Sequence, residues 1–228
     1  MEDKLIPPVI ETRGLAKTFR VRGKEIGVLR GIDMSVLPGE VVVVRGKSGA
    51  GKSVLLWLLS GLDRPTSGDV VFEGESMAGF SNAALAELRR RKIGIIFQKF
   101  NLVASWTACE NVAAVMEQDG LKPAEARKHA AAALSALGLA ERLDNLPAEL
   151  SIGQQQRVAV ARTLATSPSL ILADEPTGGV DPETGGEITE MLRRQVRQHG
   201  ATLVIATHGS FPCDIADKVL LLKNGVLT

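Results

Sequence analysis

Short apolar, β-branched runs recur along the chain between turn-forming residues: Val41 to Val44, Val70 to Phe72, Ile93 to Phe97, Leu170 to Ala173, Thr202 to Ala206 and Val219 to Leu222. Several are apolar without alternation, the pattern of strands buried on both faces of a largely parallel sheet. Helical stretches fall between some of them. The clearest is Pro123 to Leu137, where proline suits the first turn, Ala126, Ala130, Ala133 and Leu137 recur near one face, and Gly138 can close the end. Strands alternating with helices define an α/β class. Between Phe97 and Leu170 the chain has helical but hardly any strand character, a gap that a compact sheet rarely leaves empty. Residues from about Asn101 to Ser151 therefore read as a helical subdomain inserted into a single domain spanning 1–228.

The chain has 228 residues, 45% hydrophobic and 23% charged, with 27 Lys+Arg against 26 Asp+Glu. That length and apolar content bury a core and exclude a disordered or fibrous chain. A formal net charge of +1 gives no global attraction to nucleic acid or an anionic membrane, so any polyanion specificity must reside in a site. Cys109 and Cys213 stand far apart, without CxxC or Cys/His spacing. This argues against a disulfide framework or zinc site and for a reducing compartment. Met1 to Pro8 offer no apolar leader, and no stretch approaches the ~18 apolar residues of a membrane span, so the chain reads as soluble.

Chemistry enters at Gly46-Lys47-Ser48-Gly49-Ala50-Gly51-Lys52-Ser53, which fits G-x-x-x-x-G-K-[ST] between the strand Val41 to Val44 and the helical run Val54 to Leu59. The glycines let successive N–H groups turn inward, and the helix adds its positive end. Lys52 supplies a mobile ammonium for β- and γ-phosphates, and the Ser53 hydroxyl can ligate Mg²⁺. A nucleoside triphosphate is the natural ligand. Leu170 to Pro176 is a buried strand ending in adjacent carboxylates. Successive strand side chains face opposite ways, so Asp174 can turn to the Mg²⁺ while Glu175, just past the strand, polarises an attacking water.

The stretch Leu150-Ser151-Ile152-Gly153-Gln154-Gln155-Gln156-Arg157 resembles the LSGGQ signature of ATP-binding cassette (ABC) proteins, and it precedes the acidic strand as in that family. Gln98 resembles the family's Q-loop glutamine, Asp181 the D-loop aspartate and His208 the switch histidine. The resemblance covers nearly the whole chain. It implies an α/β P-loop core with a mostly parallel sheet, an N-terminal antiparallel β subdomain and an inserted helical subdomain. It also implies ATP and Mg²⁺ as ligands: Phe19 stacks on adenine, Gln98 senses Mg²⁺ and the attacking water, Glu175 is the catalytic base and His208 contacts the γ-phosphate. By residue type alone Phe19 could equally be core, Gln98 a solvated strand end and His208 a surface histidine. Ser151, Gly153 and Gln154 are expected to cap the γ-phosphate of a second copy, giving an ATP-dependent homodimer with composite sites. Two departures stand out. Ile152 replaces a signature glycine, which disfavours positive φ and predicts altered geometry. Gly178-Gly179-Val180-Asp181 predicts a looser D-loop.

Gly61 to Gly68, Phe97 to Leu102 and Ala173 to Gly178 resemble the bacterial subgroup of lipoprotein-release and macrolide-export cassettes. This implies a peripheral ATPase on the cytoplasmic face of the inner membrane. Its partner is a separate transmembrane permease, and membrane contact runs through that permease. A regulatory cell-division-type cassette and a soluble nucleic-acid-linked ATPase are the alternatives, the second disfavoured by the near-neutral charge. Phe100, Leu102, Val103 and Trp106 gather apolar mass where family cassettes receive a permease helix. The Arg89-Arg90-Arg91-Lys92 run reads as a solvated helix face and Trp57 as core.

Overall fold

The structure, a computed structural model, describes residues 6–209, 211 and 215–228; Cys213 lies outside them. A long hairpin opens the chain, β1 (Ile10–Val21) and β2 (Lys24–Val36), followed by β3 (Val41–Arg45), α1 (Lys52–Leu59), β4 (Ser67–Phe72), β5 (Glu75–Ser76) and α2 (Asn82–Arg91). Then come β6 (Ile93–Ile96), three helices α3 (Ala108–Gln118), α4 (Pro123–Ala136) and α5 (Ile152–Leu164), and β7 (Leu170–Asp174). The chain ends with α6 (Pro182–His199), β8 (Thr202–Thr207), β9 (Lys218–Lys223) and β10 (Val226–Leu227).

One six-stranded sheet runs β10-β9-β3-β8-β7-β6, parallel except for the edge strand β10. Its central strands are buried on both faces, as their unbroken apolar runs predict. In its register Arg45 lies beside Thr207, and Asp174 beside Ala206. The phosphate loop after β3, the histidine after β8 and the acid pair at the end of β7 thus leave the sheet side by side. Ligands of parallel sheets bind at this carboxyl edge.

The second sheet, β2-β1-β4-β5, is antiparallel. It takes the apolar run Val70 to Phe72: Ile10 pairs with Phe72 and Thr12 with Val70. An apolar run reports burial but not which sheet supplies the neighbour. Ile10, Leu15, Leu29 and Ile32 of this sheet share one core with Leu55 and Leu58 of α1 and with Val42, Val44 and Leu172 of the parallel sheet. Trp57, expected in that core, is instead 39% exposed. The inward face of α1 is already filled by Leu55, Leu56, Leu58 and Leu59, and a two-turn helix has no second buried face.

A separate cluster joins α3, α4 and α5 through Ala108, Val112, Ala126, Ala130, Leu134, Val158 and Ala161. Pro123 opens α4 and Gly138, at φ 72°, follows its end as the sequence predicts. Thr107 and Glu110 close a capping box on α3. Helix α5 serves both layers, because its Val160 packs with Ile171 and Ile188 in the core on the other face of the parallel sheet. The cationic run at the end of α2 is internally matched. Arg89 donates to the Gly61 carbonyl, Arg90 and Arg91 pair with Glu87, and Lys92 pairs with Glu73. Among the described residues no helix is long and apolar enough to cross a membrane.

Candidate functional site

The loop from Gly46 to Ser53 turns between β3 and α1. A Cβ on Gly46 would fall 2.6 Å from the Leu222 carbonyl oxygen, and Gly51, at φ 102°, occupies the N-cap of α1 with Val28 Cγ1 2.9 Å from where its Cβ would stand. No side chain caps α1 and its first turn carries no acid. The helix therefore keeps free N–H groups aimed at the loop, the requirement for holding an anion. Lys52 folds back over the loop. Its Nζ donates to Gly46 O at 2.9 Å and Lys47 O at 3.3 Å, and stands 3.6 Å from Glu175 Oε1. Beside the loop a cleft of about 830 Å³ is lined by Ile26, Val28, Arg30, Lys47, Ser48 and Leu221, among others. Phe19 is half-buried on β1 as the cross-strand partner of Ile26, with the Lys17 ammonium 5.0 Å from its ring centroid.

Asp174 ends β7 and is buried. Burial pushes its carboxyl above the ordinary range; a hydrogen bond from Ser53 opposes this, neighbouring Glu175 adds to it, and Lys52 pulls it down. Its Oδ1 has no hydrogen-bond partner. Glu175 leaves the strand through a left-handed turn at φ 49°, fixed by its N–H to Ala206 O at 2.8 Å and by Gly178 N–H to its own carbonyl at 2.9 Å. That turn delivers a buried carboxylate to Lys52. Thr207 Oγ1 donates to Oε2 at 3.1 Å, and His208 Nδ1 lies 2.6 Å from Oε1 with its ring half-exposed. Lys52, Ser53, Asp174, Glu175 and His208 thus converge as the sequence predicts. Thr207, which sequence reasoning passed over, holds the Glu175 carboxylate; a hydroxyl residue closing an apolar strand just before His208 was the available signal. Gln98 is exposed after β6, and among the described residues no hydrogen bond joins it to this cluster.

The donor set fits Mg²⁺: an unpartnered buried carboxylate oxygen and a hydroxyl on the same carboxyl are hard ligands. No group of three or more His, Cys, Asp and Glu forms a self-sufficient metal cage among the described residues.

Ser151 is the N-cap of α5 in a reciprocal box, its Oγ accepting from Gln154 N at 3.3 Å and its N–H donating to Gln154 Oε1 at 2.9 Å. Ile152 is the first helical residue, with no positive φ and 55% exposed. The expected distortion of the signature therefore does not arise: this position needs no glycine. At Gly153 a Cβ would stand 3.0 Å from Thr184 Cγ2, so the Thr184 side chain would have to shift. Asp181 caps α6, accepting from Thr184 N at 3.0 Å and from Thr184 Oγ1 at 2.8 Å; those bonds hold its carboxyl below the usual range. The D-loop glycines have specific reasons. A Cβ on Gly178 would press Glu175 at 3.2 Å, and Gly179 sits at φ 79°. Among the described residues no hydrogen bond ties the signature to Lys52 or Glu175.

A parallel sheet whose carboxyl edge joins a phosphate loop, its lysine, an acid pair and a histidine defines a P-loop nucleoside triphosphatase. The profile of the ABC transporter family matches residues 29–178. The macrolide export ATP-binding/permease protein MacB of Azoarcus sp. is 43% identical over 218 residues, 96% of this chain but 33% of that protein. The chain spans about a third of the length of the MacB relatives it matches. An uncharacterized ABC transporter ATP-binding protein of Thermotoga maritima is 42% identical over 95% of this chain and 92% of its own length. Among solved structures, the dimeric ATP-binding cassette MJ0796 bound to ADP and Pi superposes with TM-score 0.91 at 36% identity, over 96% of each chain. The chain belongs to the ABC transporter family and is an ATPase cassette of that family.

Proposed function

We propose that the chain is the ATP-hydrolysing subunit of an export or lipoprotein-release-type complex. Two copies close head to tail around ATP and drive a separate membrane permease from the cytoplasmic face. The observation that carries the catalytic part is Glu175, buried yet held by Thr207 and His208 beside Lys52, with one free oxygen on the adjoining Asp174.

The N–H groups of Gly46 to Ser53 and the α1 terminus cradle the phosphates, and Lys52, released from the loop carbonyls, follows the β- and γ-phosphates. Ser53 and Asp174, with Gln98 as the third candidate ligand, would hold Mg²⁺, which would supply charge neutralisation of the phosphate oxygens when bound. Glu175 takes the proton of the attacking water; His208, fixed through Nδ1 on Glu175, leaves its other ring nitrogen for the γ-phosphate. Phe19 stacks on the base at the cleft edge. Asp181 fixes the loop between the base and α6, while Ser151, Gly153 and Gln154 present a second anion cradle to the partner copy's ATP.

Relatives named as macrolide exporters at 41 to 43% identity support the export reading. A methionine-import protein of Corynebacterium diphtheriae is equally similar, at 43%, so direction rests on the subgroup stretches Gly61 to Gly68, Phe97 to Leu102 and Ala173 to Gly178. The deciding experiment is purification of the chain from detergent-solubilised native membranes, with mass spectrometry of what accompanies it. A permease with a large extracytoplasmic domain supports the proposal; an importer permease with a solute-binding protein, or nucleic acid without a membrane protein, overturns it.

A further inference from the structure

The loop that follows Gln98 is held in a conformation its sequence resists. Phe100 and Asn101 both take positive φ, 59° and 50°. Asparagine tolerates that region, but a bulky aromatic residue enters it only when its surroundings impose it. The residue that imposes it comes from α5. Arg162 Nη1 donates to Asn101 O and Nη2 to Phe100 O, each at 2.7 Å. Among the described residues no carboxylate pairs with this guanidinium, and burial pushes its pKa down. The charge is therefore retained for its two forked donors, a geometry lysine cannot reproduce.

The same helix begins at the signature. From Ile152 to Arg162 α5 is one uninterrupted rod of about 15 Å. Thr163, the next residue, fastens it to β6 through Ile95 O at 3.0 Å. Beyond the turn, the buried Asn111 of α3 takes over, bonding the backbone of Val103, Trp106 and Thr107. The loop from Gln98 to Thr107 is thus strapped to two helices by two polar side chains, while Val103 and Trp106 face outward.

We infer that Arg162 is a positioning residue for ATP hydrolysis: by clamping the strained Phe100–Asn101 turn it fixes Gln98 and locks that loop to the helix carrying the signature. The inference rests on the proposed function above, in which Gln98 and the signature each meet ATP. Displacement of the loop then moves one end of α5, and the rigid helix carries the motion to Ser151. Coupling through a two-ended rigid element is a physical route, and the residue that bolts it is the place to break it.

The test compares Arg162→Ala, Arg162→Lys, the double variant Arg162→Ala/Phe100→Gly and Glu175→Gln, each as full chain. Readouts are Mg·ATP turnover at protein concentrations where dimers form, KM against kcat, and thermal melting. Losing one charge-assisted hydrogen bond from a catalytic arrangement corresponds to about a tenfold fall in rate. Arg162→Ala is expected to lose about tenfold or more in kcat with KM within about twofold, and Arg162→Lys to fall between. Adding Phe100→Gly should recover about threefold, because glycine enters the left-handed region without the steric cost that Phe100 bears. Wild-type kcat per folded molecule in Arg162→Ala, or no recovery with Phe100→Gly, overturns the inference. If Arg162→Ala fails to fold, Arg162→Lys decides: lowered kcat at an unchanged melting temperature supports it, and wild-type kcat overturns it. Retained turnover in Glu175→Gln would overturn the reading of the site itself. Lost turnover there with unaffected Arg162 variants would overturn this inference alone.

Discussion

Replacing Glu175 by Gln removes one charge from a buried cluster and keeps its shape. At 3.6 Å from Lys52, with an effective dielectric of about 20, the bare attraction is about 4–5 kcal/mol, most of it offset by desolvation of both groups. Deleting one partner exposes that cost, because Lys52 stays charged and buried. The hydrogen bonds of Lys52 to Gly46 O and Lys47 O remain, so the net loss falls near the low end for broken buried pairs, about 3 kcal/mol. For a domain of this size that lowers the nucleotide-free melting temperature by about 6–12 °C. Bound ATP supplies phosphate charge to Lys52, so the deficit should shrink to about 1 kcal/mol or less at saturation. Hydrolysis should fall by about a hundredfold to ten-thousandfold, the usual worth of a general base. Differential scanning fluorimetry with and without Mg·ATP, together with phosphate release, tests both halves, and size-exclusion chromatography should show an ATP-bound dimer. Turnover within about threefold of wild type, or a melting deficit unchanged by ATP, would refute the reasoning.

The acid side of the site gives a pH signature. Burial raises the Asp174 pKa in the fold, so over the range from its ordinary value of 3.8 up to the raised one the native state binds more protons than the unfolded chain. Stability from this group is full below that range and is lost as pH rises through it. Subtracting Asp174→Asn melting curves from wild-type ones should therefore give a difference falling with rising pH, while Mg²⁺ dependence of ATP binding strengthens over the same range; a flat or rising difference would contradict the assignment. Gly46→Ala forces a Cβ against the Leu222 carbonyl oxygen at 2.6 Å, and backbone must yield. It should cost about 1–3 kcal/mol and weaken nucleotide binding, as read by melting and nucleotide titration. Ile152→Gly should change stability by less than about 0.5 kcal/mol, because the side chain is exposed at the first helical position and no positive φ is relieved; a larger stabilisation would reveal hidden strain.

The phosphate loop, the acid strand and the parallel sheet were legible because each is local. An unbroken apolar run, a glycine spacing or a carboxylate at a strand end carries its meaning within a few residues. The long strands β1 and β2 left a weaker pattern, because register shifts between Thr12 and Thr18 break the alternation that would announce them. The expectation of Trp57 in the core failed for another reason: it depends on which surface lies opposite, a tertiary fact that hydrophobicity does not encode. Thr207 and Arg162 were invisible for a related reason: each acts on a residue far along the chain, Glu175 and Phe100, through one hydrogen-bond geometry that no spacing reveals.

The same distinction explains the departures from the family pattern. Read as letters, Ile152 predicts altered geometry and Gly178-Gly179 a looser loop. Ile152 lies in a regular helical start without positive φ, and both glycines have local steric or conformational reasons. The signature position most crowded by a neighbour is Gly153, where a Cβ would press the Thr184 side chain; Thr184 is bonded to Asp181, and the segment before Asp181 passes through Gly178, whose missing Cβ makes room for Glu175. Glycine is kept where backbones or side chains of two catalytic loops must touch, and is dispensable at Ile152, where the chain is already helical and faces solvent. A line through Glu175, Gly178, Asp181, Thr184 and Gly153 thus runs within one subunit to the signature helix. With Arg162 holding the far end of that helix to the loop after Gln98, α5 would be fixed at both ends by the loops proposed above to meet ATP, and its position would be set jointly by the two sites.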